Sequence, residues 1–490
     1  MNARILQPIK SEDPFYKVVF FFVILFVLIT LSNYDVCWMH FEIYQRQMPF
    51  ALSNGTGIVF EDLSRAFDIN NIDGVNRVRF VSYLFQIIDA KFRVWLFNYI
   101  PPHPSLSLTW IFSLILTPVF LFKFVYNLTF SRTNSWSCLL LYLVSPGWLS
   151  GITFFSLSGK PLSSFLTIFC LYLASEINLS VSTGGFPKKD LRLYYILLFT
   201  LLLGFFTDEV AWFVYLAIPV IFYNIFTTSK RRILVILSYV AIPVSFLTFV
   251  VYLAPLVITH PVGGGFAYYG YAAAGGWSPT IKHMTHFSFY DAILTGHYLI
   301  SSHIVPFQRP DFHNFFRIDI YVYTLSLLYF YYLFTRLPYR YSETFLRTFA
   351  TLLLFISFHT LLMSFHLPAY PHSPHYYGAI FSIFYVLPLS ILLTTIMASS
   401  KMLPTLNKII LIFLLVTSAS NFYNISLRKK AQESFLHSGD TITPNTKRLV
   451  MEAWNNRYNR DVISKLRKEN PQPDVGWLFV ELEYLNKTPD

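Results

Sequence analysis

The sequence predicts an all-α membrane protein with about eleven transmembrane helices, and two features of its composition indicate this. Of the 490 residues, 54% are hydrophobic and only 13% are charged, about half the charged fraction of an average soluble protein. Apolar runs of about 18–22 residues recur along the chain, which is the length that a helix needs to cross a bilayer. The composition therefore excludes an ordinary soluble globular protein. It also makes the net charge of +11 an indicator of membrane topology rather than of nucleic-acid binding.

The first predicted span is the apolar run at 15–33, which follows Arg4 and Lys10. No small-residue cleavage site follows this run, so we interpret it as a retained span rather than a signal peptide. The other predicted spans are the apolar segments at 106–127, 135–151, 161–178, 191–205, 208–228, 233–258, 318–335, 348–366, 377–399 and 408–424.

The positions of Lys and Arg predict how these spans are oriented. Basic residues recur in every second short loop, whereas the intervening turns at 205–209 and 367–378 contain neither Lys nor Arg. Because cytoplasmic loops carry the basic excess, we expect a cytoplasmic N terminus, and an odd number of spans then places the C terminus outside. The basic loop residues are Arg132, Lys188, Lys189, Arg192, Lys230, Arg231, Arg232, Arg336, Arg340, Arg347, Lys401 and Lys408.

Two domains are expected: a transmembrane module over 1–424 and a small extracytoplasmic tail over 425–490. The module would contribute two large outer loops, 34–105 and 259–317, on the same side of the plasma (inner) membrane as the tail. The pattern of the tail predicts one helix over 445–468, then a turn broken by proline and a short apolar stretch. The tail is too small for a separate enzymatic domain and is expected to cap the outer face.

The first outer loop contains a predicted amphipathic helix in the segment FVSYLFQIIDAKFRVWLFNYI. Gln86, Asp89 and Arg93 lie off its predicted apolar face, as in a helix lying flat on the membrane interface. A helix packed on the spans, with no membrane role, is the alternative. The apolar face consists of Phe80, Leu84, Ile87, Ile88, Trp95 and Leu96.

The same loop carries an acidic pair and two arginines, which are candidate catalytic and phosphate-binding residues. Glu61 and Asp62 would lie near a low-dielectric surface that favours a protonated carboxyl group, which suits a general base. Arg77 and Arg79 carry guanidinium groups, which bind phosphate oxygens bidentately. An acid that deprotonates a hydroxyl and a cation that holds phosphate are what a glycosyltransferase with a lipid-phosphate sugar requires. The alternative is that the four charges pair with one another on a solvated loop.

Further candidates lie where other spans meet the outer water. Asp208 and Glu209 occupy a short outer turn, where ionisable groups are expensive to bury and usually functional. They would orient Arg79, bind a sugar hydroxyl or assist the base, or else they are solvated carboxylates that end two spans. Asp35, just past the first span, is a third candidate base or a helix N-cap.

The outer turn SFHLPAYPHSPHYYG supplies imidazole and phenol donors that would hold a phosphate or a sugar. Its histidines lack a carboxylate partner and metal-ligand spacing, and the three cysteines have no spaced framework, so no metal or cofactor is expected. These donor residues are His366, Tyr370, His372, His375 and Tyr376.

Three of these segments together resemble the GT-C superfamily of integral membrane glycosyltransferases. FEDLSRAF looks like the acidic pair of that family's first outer loop, and NRVRFVSYLFQIIDAKF is similar to an arginine-containing stretch, R-x-R-x-x-S-Y-L, of several branches. GFFTDEVAWF looks like the later acidic turn, although many relatives have Lys-Glu where this chain has Asp208 and Glu209. The length and the outer tail are similar to those of the O-antigen-glucosylating, serotype-converting enzymes, which act on lipopolysaccharide in the periplasm.

The resemblance implies an inverting transfer outside the cytoplasm, from a polyprenyl-phosphate-linked sugar donor to a glycan or lipid-linked acceptor. Asp62 or Glu61 would deprotonate the acceptor, and Arg79, Arg77 or His375 would stabilise the departing polyprenyl phosphate. Membrane lipids are the other expected partners, and nucleic acid is not one. The alternatives are a flippase or transporter of lipid-linked saccharides, a polymerase of such saccharides, and a non-catalytic membrane scaffold.

Overall fold

The computed structural model describes residues 80–101, 108–144, 159–182, 188–208, 210–227, 232–249 and 444–470, with isolated positions in 344–387 and 478–486. Of the described residues, 90% are helical and none is in a strand, which confirms the all-α class for that part of the chain. The predicted spans at 15–33, 318–335 and 408–424 and the loop 259–317 lie outside it.

Helices occupy the predicted apolar segments between 106 and 258, as far as these are described. Apart from one helix of 5 residues, Tyr223–Thr227, their lengths of 12–24 residues fit runs dominated by Leu, Ile, Phe and Val. The helices in this region and before it are α1 (Phe80–Leu96), α2 (Leu108–Thr129), α3 (Arg132–Val144), α4 (Gly159–Ser182), α5 (Lys188–Phe205), α6 (Val210–Ile221), α7 (Tyr223–Thr227) and α8 (Arg232–Thr248). The tail contributes α9 (Pro444–Asn455) and α10 (Arg460–Glu469).

One predicted span, 208–228, is divided into α6 and α7 at Phe222. Pro219 lies near the end of α6 and lacks the N–H that a continuous helix would use. The chain turns at Phe222, whose N–H donates to the Ile218 carbonyl at 2.8 Å and whose own carbonyl accepts from Ile225 N–H at 3.0 Å. The break is therefore a local change of helix geometry within the predicted segment.

Helix α4 lies at the centre of the bundle, in contact with α1, α2, α5, α6 and α7. Its segment Pro161–Val181 has a mean hydropathy of 1.5 and is long and apolar enough to cross a membrane, and 67% of its most apolar window is buried. Shorter apolar helices surround it over Ile115–Thr129, Leu191–Phe205, Val210–Ile221 and Arg232–Thr248. Side chains of Phe120 and Phe169 join α2 to α4, with ring centroids 4.7 Å apart.

Helices α5 and α6 approach closely at Gly204. A Cβ atom built on Gly204 would lie 3.2 Å from the Cβ of Ala211, which is tighter than ordinary van der Waals contact. The small side chains at these two positions allow the helices to cross just before the turn that joins them.

We therefore expect Gly204→Val to destabilise the protein by about 1–3 kcal/mol, because the added methyl groups overpack this crossing. Thermal unfolding of the purified protein in detergent would show a lower midpoint. The double variant Gly204→Val with Ala211→Gly should recover part of the loss. If the double variant unfolds at the same temperature as Gly204→Val alone, the cause is not steric.

The predicted helix of the first outer loop is confirmed as α1, but its predicted faces are wrong. Asp89 and Arg93, assigned to the polar side, are each only 1% exposed, whereas Trp95, assigned to the apolar side, is 54% exposed. Asp89 is buried because its Oδ1 accepts the backbone N–H of Thr109 at 2.9 Å, at the first turn of α2. This bond supplies a partner that a hydrophobicity pattern does not register.

The tail differs from its predicted single helix by having a break between α9 and α10. Asn459 causes the second helix to start anew, because its side-chain oxygen caps α10 by accepting from Val462 N–H at 3.2 Å. The expected apolar stretch after the helices is buried, with Leu478, Phe479 and Leu482 fully enclosed. The tail also bonds to α1, since the Trp454 indole N–H donates to the Phe97 carbonyl at 2.9 Å.

Candidate functional site

Asp208 is the one predicted site residue within the described part of the chain, and it is buried. It is 2% exposed, so Asp208 itself is not a solvated carboxylate. Its backbone N–H donates to the Gly204 carbonyl at 3.0 Å, which continues the end of α5. Its Oδ1 accepts the Val210 N–H at 3.3 Å, as in a helix N-cap for α6.

The turn around Asp208, residues 206–208, is also where α1, from the predicted first outer loop, meets the bundle. The backbone N–H of Val81, in the first turn of α1, donates to the carbonyl of Phe206 at 3.0 Å. Side chains of Val81, Leu162 and Leu166 form a small buried cluster, against which Phe206 packs. Two regions more than a hundred residues apart in sequence, each carrying predicted site residues, thus converge at one end of the bundle.

The ring of Phe206 ties the same turn to the far end of α8. It lies 5.0 Å from the ring of Phe246 and 4.9 Å from that of Phe249, in edge-to-face geometry. Each such pair stabilises the fold by about 0.5–1.5 kcal/mol beyond the contribution of the buried area. The Asp208 turn is therefore held on two sides, by α1 and by α8.

Asp89 and Arg93 form a second group of buried charges at this end of the bundle, which the sequence pattern missed. They are four residues apart, so they share one face of α1, and each is 1% exposed. Arg93 is among the largest fully buried side chains of the described residues. Burial of ionisable groups is costly and is tolerated only where partners exist. We therefore infer that polar partners hold these two side chains in place beside the N terminus of α2.

Hydroxyl side chains line the packed space below the Asp208 turn. Ser163 and Thr167 of α4 and Thr200 of α5 face a cavity of about 10 Å³ that Gly204 and Ala211 close. A cavity of this size holds about one water molecule. Most of the lining is apolar, because Leu166, Cys170, Leu201 and Val214 lie beside these hydroxyl groups. The seam between α4 and α5 is therefore packed mainly by apolar side chains.

The other predicted site residues lie outside the described residues. Within the described ranges, no three His, Cys, Asp or Glu side chains come together in a group that could hold a metal ion. The predicted site residues outside those ranges are Asp35, Glu61, Asp62, Arg77, Arg79, Glu209, His366, Tyr370, His372, His375 and Tyr376.

Comparison of the chain with models of protein families, with curated proteins and with solved structures gives no match.

Proposed function

We propose that this chain is an integral membrane glycosyltransferase with about eleven spans, which moves a sugar from a polyprenyl-phosphate carrier to a glycan or lipid-linked acceptor on the extracytoplasmic face. The proposal has three supports: an apolar surface suited to lipid, a separation of charges between the two ends of the bundle, and a buried carboxylate where the first outer loop joins it.

The surface of α8 supports a membrane location. Its buried face consists of Val235, Tyr239, Ile242 and Phe246, yet the opposite face is equally apolar. A helix that is hydrophobic on all sides is typical of a protein core or a membrane span, and here one side is uncovered. The exposed apolar residues of α8 are Ile233, Leu234, Ile236, Leu237, Val240, Val244 and Leu247.

Exposed arginines lie at one end of the bundle, whereas the charged residues Asp208, Asp89 and Arg93 at the other end are buried. The starts of α5 and α8 lie together, since the Tyr194 hydroxyl donates to the Val235 carbonyl at 2.6 Å, and exposed Arg192 and Arg232 lie at this end. Asp208 lies at the opposite end. Because Lys and Arg concentrate on the cytoplasmic side, this arrangement supports an outer location for the Asp208 turn.

The single observation that carries the proposed site is the bond from Val81 N–H to the Phe206 carbonyl. Arg79 precedes Val81 by two residues, and two extended residues span at most about 7 Å. The bond therefore ties the first turn of α1, which directly follows the arginine-containing segment in sequence, to the turn that holds a buried carboxylate. We infer that Asp208 is a positioning residue, which orients the Arg79 guanidinium toward the lipid phosphate.

In the proposed reaction the base Asp62, with Glu61 and Asp35 as alternatives, takes the proton of an acceptor hydroxyl. The acceptor oxygen forms a bond to the anomeric carbon of the donor sugar, and the bond from that carbon to the phosphate oxygen breaks. Polyprenyl phosphate leaves with the bonding electrons, and Arg77 and Arg79 stabilise its charge. Attack opposite the leaving group inverts the anomeric configuration.

Replacement of Asp208 by Asn tests this role. Asn is as good a helix cap as Asp, so the variant keeps the cap of α6 and removes the charge. We expect the rate of sugar transfer to fall about 10–100-fold, because a misplaced phosphate-binding group costs that much, while the midpoint of thermal unfolding changes little. The assay is transfer of label from a radiolabelled polyprenyl-phosphate hexose, with exposed Asp461→Asn as the matched control. Full activity of Asp208→Asn would refute the positioning role.

A further inference from the structure

The end of α1 and the tail together present three exposed aromatic rings, those of Trp95, Tyr99 and Tyr458. We call these rings, together with Asn98, the Trp95 patch. The three rings are 54%, 67% and 62% exposed, respectively. The rings of Trp95 and Tyr99 lie 5.4 Å apart. The Tyr458 hydroxyl donates to Asn98 Oδ1 at 2.7 Å, which brings the tail against the helix end.

Tyr458 of the Trp95 patch is held in place by contacts within the tail and with the end of α1. The Trp454 indole N–H is bonded to the Phe97 carbonyl, and the Arg457 guanidinium lies 4.9 Å from the Trp454 ring centroid and 4.7 Å from that of Tyr458. Arg457 is held in turn by its bond to the Trp454 carbonyl at 3.1 Å. Large exposed aromatics held in fixed positions are typical of binding surfaces, since little side-chain freedom remains to be lost on binding.

The charge of the adjoining tail suggests the sign of the ligand. Residues 444–470 contain seven Lys or Arg and three Asp or Glu, so this segment has a net charge of +4. In the proposed topology the tail lies outside, where a basic excess is not a topology signal. A ligand with negative charge would explain it.

We propose that the Trp95 patch binds an anionic saccharide chain, whose sugar rings stack on Trp95, Tyr99 and Tyr458 and whose charges face the basic tail. The exposed ring faces suit the C–H-bearing faces of sugars, and Asn98 adds an amide. Trp95 follows Val81 by 14 residues in sequence, about 21 Å along a helix, so a ligand that also reached the Asp208 turn would be a chain rather than a single sugar. This inference rests on the proposed function for one point, that the bound saccharide is the acceptor of the transferase.

A lipid surface fits the same patch less well. A helix that inserts into an interface keeps an apolar face outward, whereas Ile463 and Leu466 of α10 are buried within the protein. The outer side of α10 carries charges of both signs, such as Lys465 and Glu469, which are 3.8 Å apart and largely exposed. The outer side of α10 is therefore suited to water and to a polar ligand, and Ile100, which follows Tyr99 in sequence, adds an exposed apolar side chain beside the rings.

The test measures binding to the full chain in nanodiscs of uncharged lipid, by titration calorimetry, without any donor. The probes are an oligogalacturonate and its methyl-esterified form, which has the same rings and no charge. Trp95→Ala, or Tyr99→Ala as an independent exposed variant, should weaken binding of both forms about fivefold. Exposed Arg460→Gln should weaken the acidic form alone, about threefold. Tyr195→Ala and Arg232→Gln, which remove an exposed ring and an exposed cation elsewhere, should change neither.

Asp208→Asn separates this inference from the proposed function, because it should slow transfer about 10–100-fold and leave oligosaccharide binding unchanged. If the oligosaccharides bind but neither the wild type nor any variant transfers sugar, the patch is retained and the transferase is rejected. The patch itself is rejected if the wild type binds neither probe, or if Trp95→Ala acts no differently from Tyr195→Ala. It is also rejected if vesicles of anionic lipid bind in a Trp95-dependent way and the oligosaccharides do not.

Discussion

Asp62→Asn is expected to lower the rate of sugar transfer about 10²–10⁴-fold, the contribution of a positioned general base. The amide cannot accept the proton of the acceptor hydroxyl, but it has the same shape and leaves the arginines that hold the lipid phosphate unchanged. Binding of the polyprenyl-phosphate donor should therefore persist. The measurement compares the single-turnover rate of transfer with donor affinity, in the same purified preparations.

Two further variants decide which carboxylate is the base. Glu61→Gln should retain most of the activity if Asp62 is the base, and Asp35→Asn should do the same. Retained activity in both Asp62→Asn and Glu61→Gln would assign the base to Asp35. If all three carboxylates are dispensable, the proposed enzyme mechanism is wrong.

Arg93→Leu is expected to destabilise the protein by about 3–5 kcal/mol, the effect of removing one member of a buried charged group. Arg93 is 1% exposed, as is Asp89 one helical turn before it, and the substitution removes one of the two charges from this buried face of α1. Chemical denaturation in mixed micelles measures the free energy of unfolding. Exposed Arg192→Leu is the control and should change it by less than about 1 kcal/mol.

A double-mutant cycle with Asp89→Asn measures whether the two charges act together. We expect the double variant to lose less stability than the sum of the single variants, because the second substitution removes the charge that the first one isolated. Additive losses would show that each side chain depends on different partners. Asp89 would in that case act mainly through its bond to the Thr109 N–H.

Helix positions were predictable from the sequence because the long apolar runs of this chain form helices. The segment 161–178 lies within α4, and 191–205 lies within α5. Pro219 was visible in the sequence, but the turn at Phe222 that follows it depends on how the freed backbone groups bond. The break in the tail was missed because it depends on one capping bond, from Val462 N–H to Asn459. The residues on both sides of Asn459 are compatible with a continuous helix.

The faces of α1 were not predictable, because hydrophobicity alone assigns charged residues to water. Asp89 is buried through a single backbone N–H that the start of α2 presents, and Trp95 is exposed at the end of the same helix. For the candidate site, charge and position in the sequence predicted a turn at Asp208, and this residue does lie between α5 and α6. Nothing in the sequence indicated that Val81 would meet Phe206, since that contact depends on tertiary packing.

Transfer in sealed proteoliposomes tests the central claim most directly, that carboxylates at the outer end of the bundle drive attack on a lipid-carried sugar. A radiolabelled polyprenyl-phosphate hexose and a soluble glycan acceptor are supplied on the side that carries the tail. The wild type should move the label to the glycan and release polyprenyl phosphate, and Asp62→Asn and Asp208→Asn should slow both. Movement of the intact donor across the bilayer without cleavage, unchanged in both variants, would contradict the account and indicate a transporter.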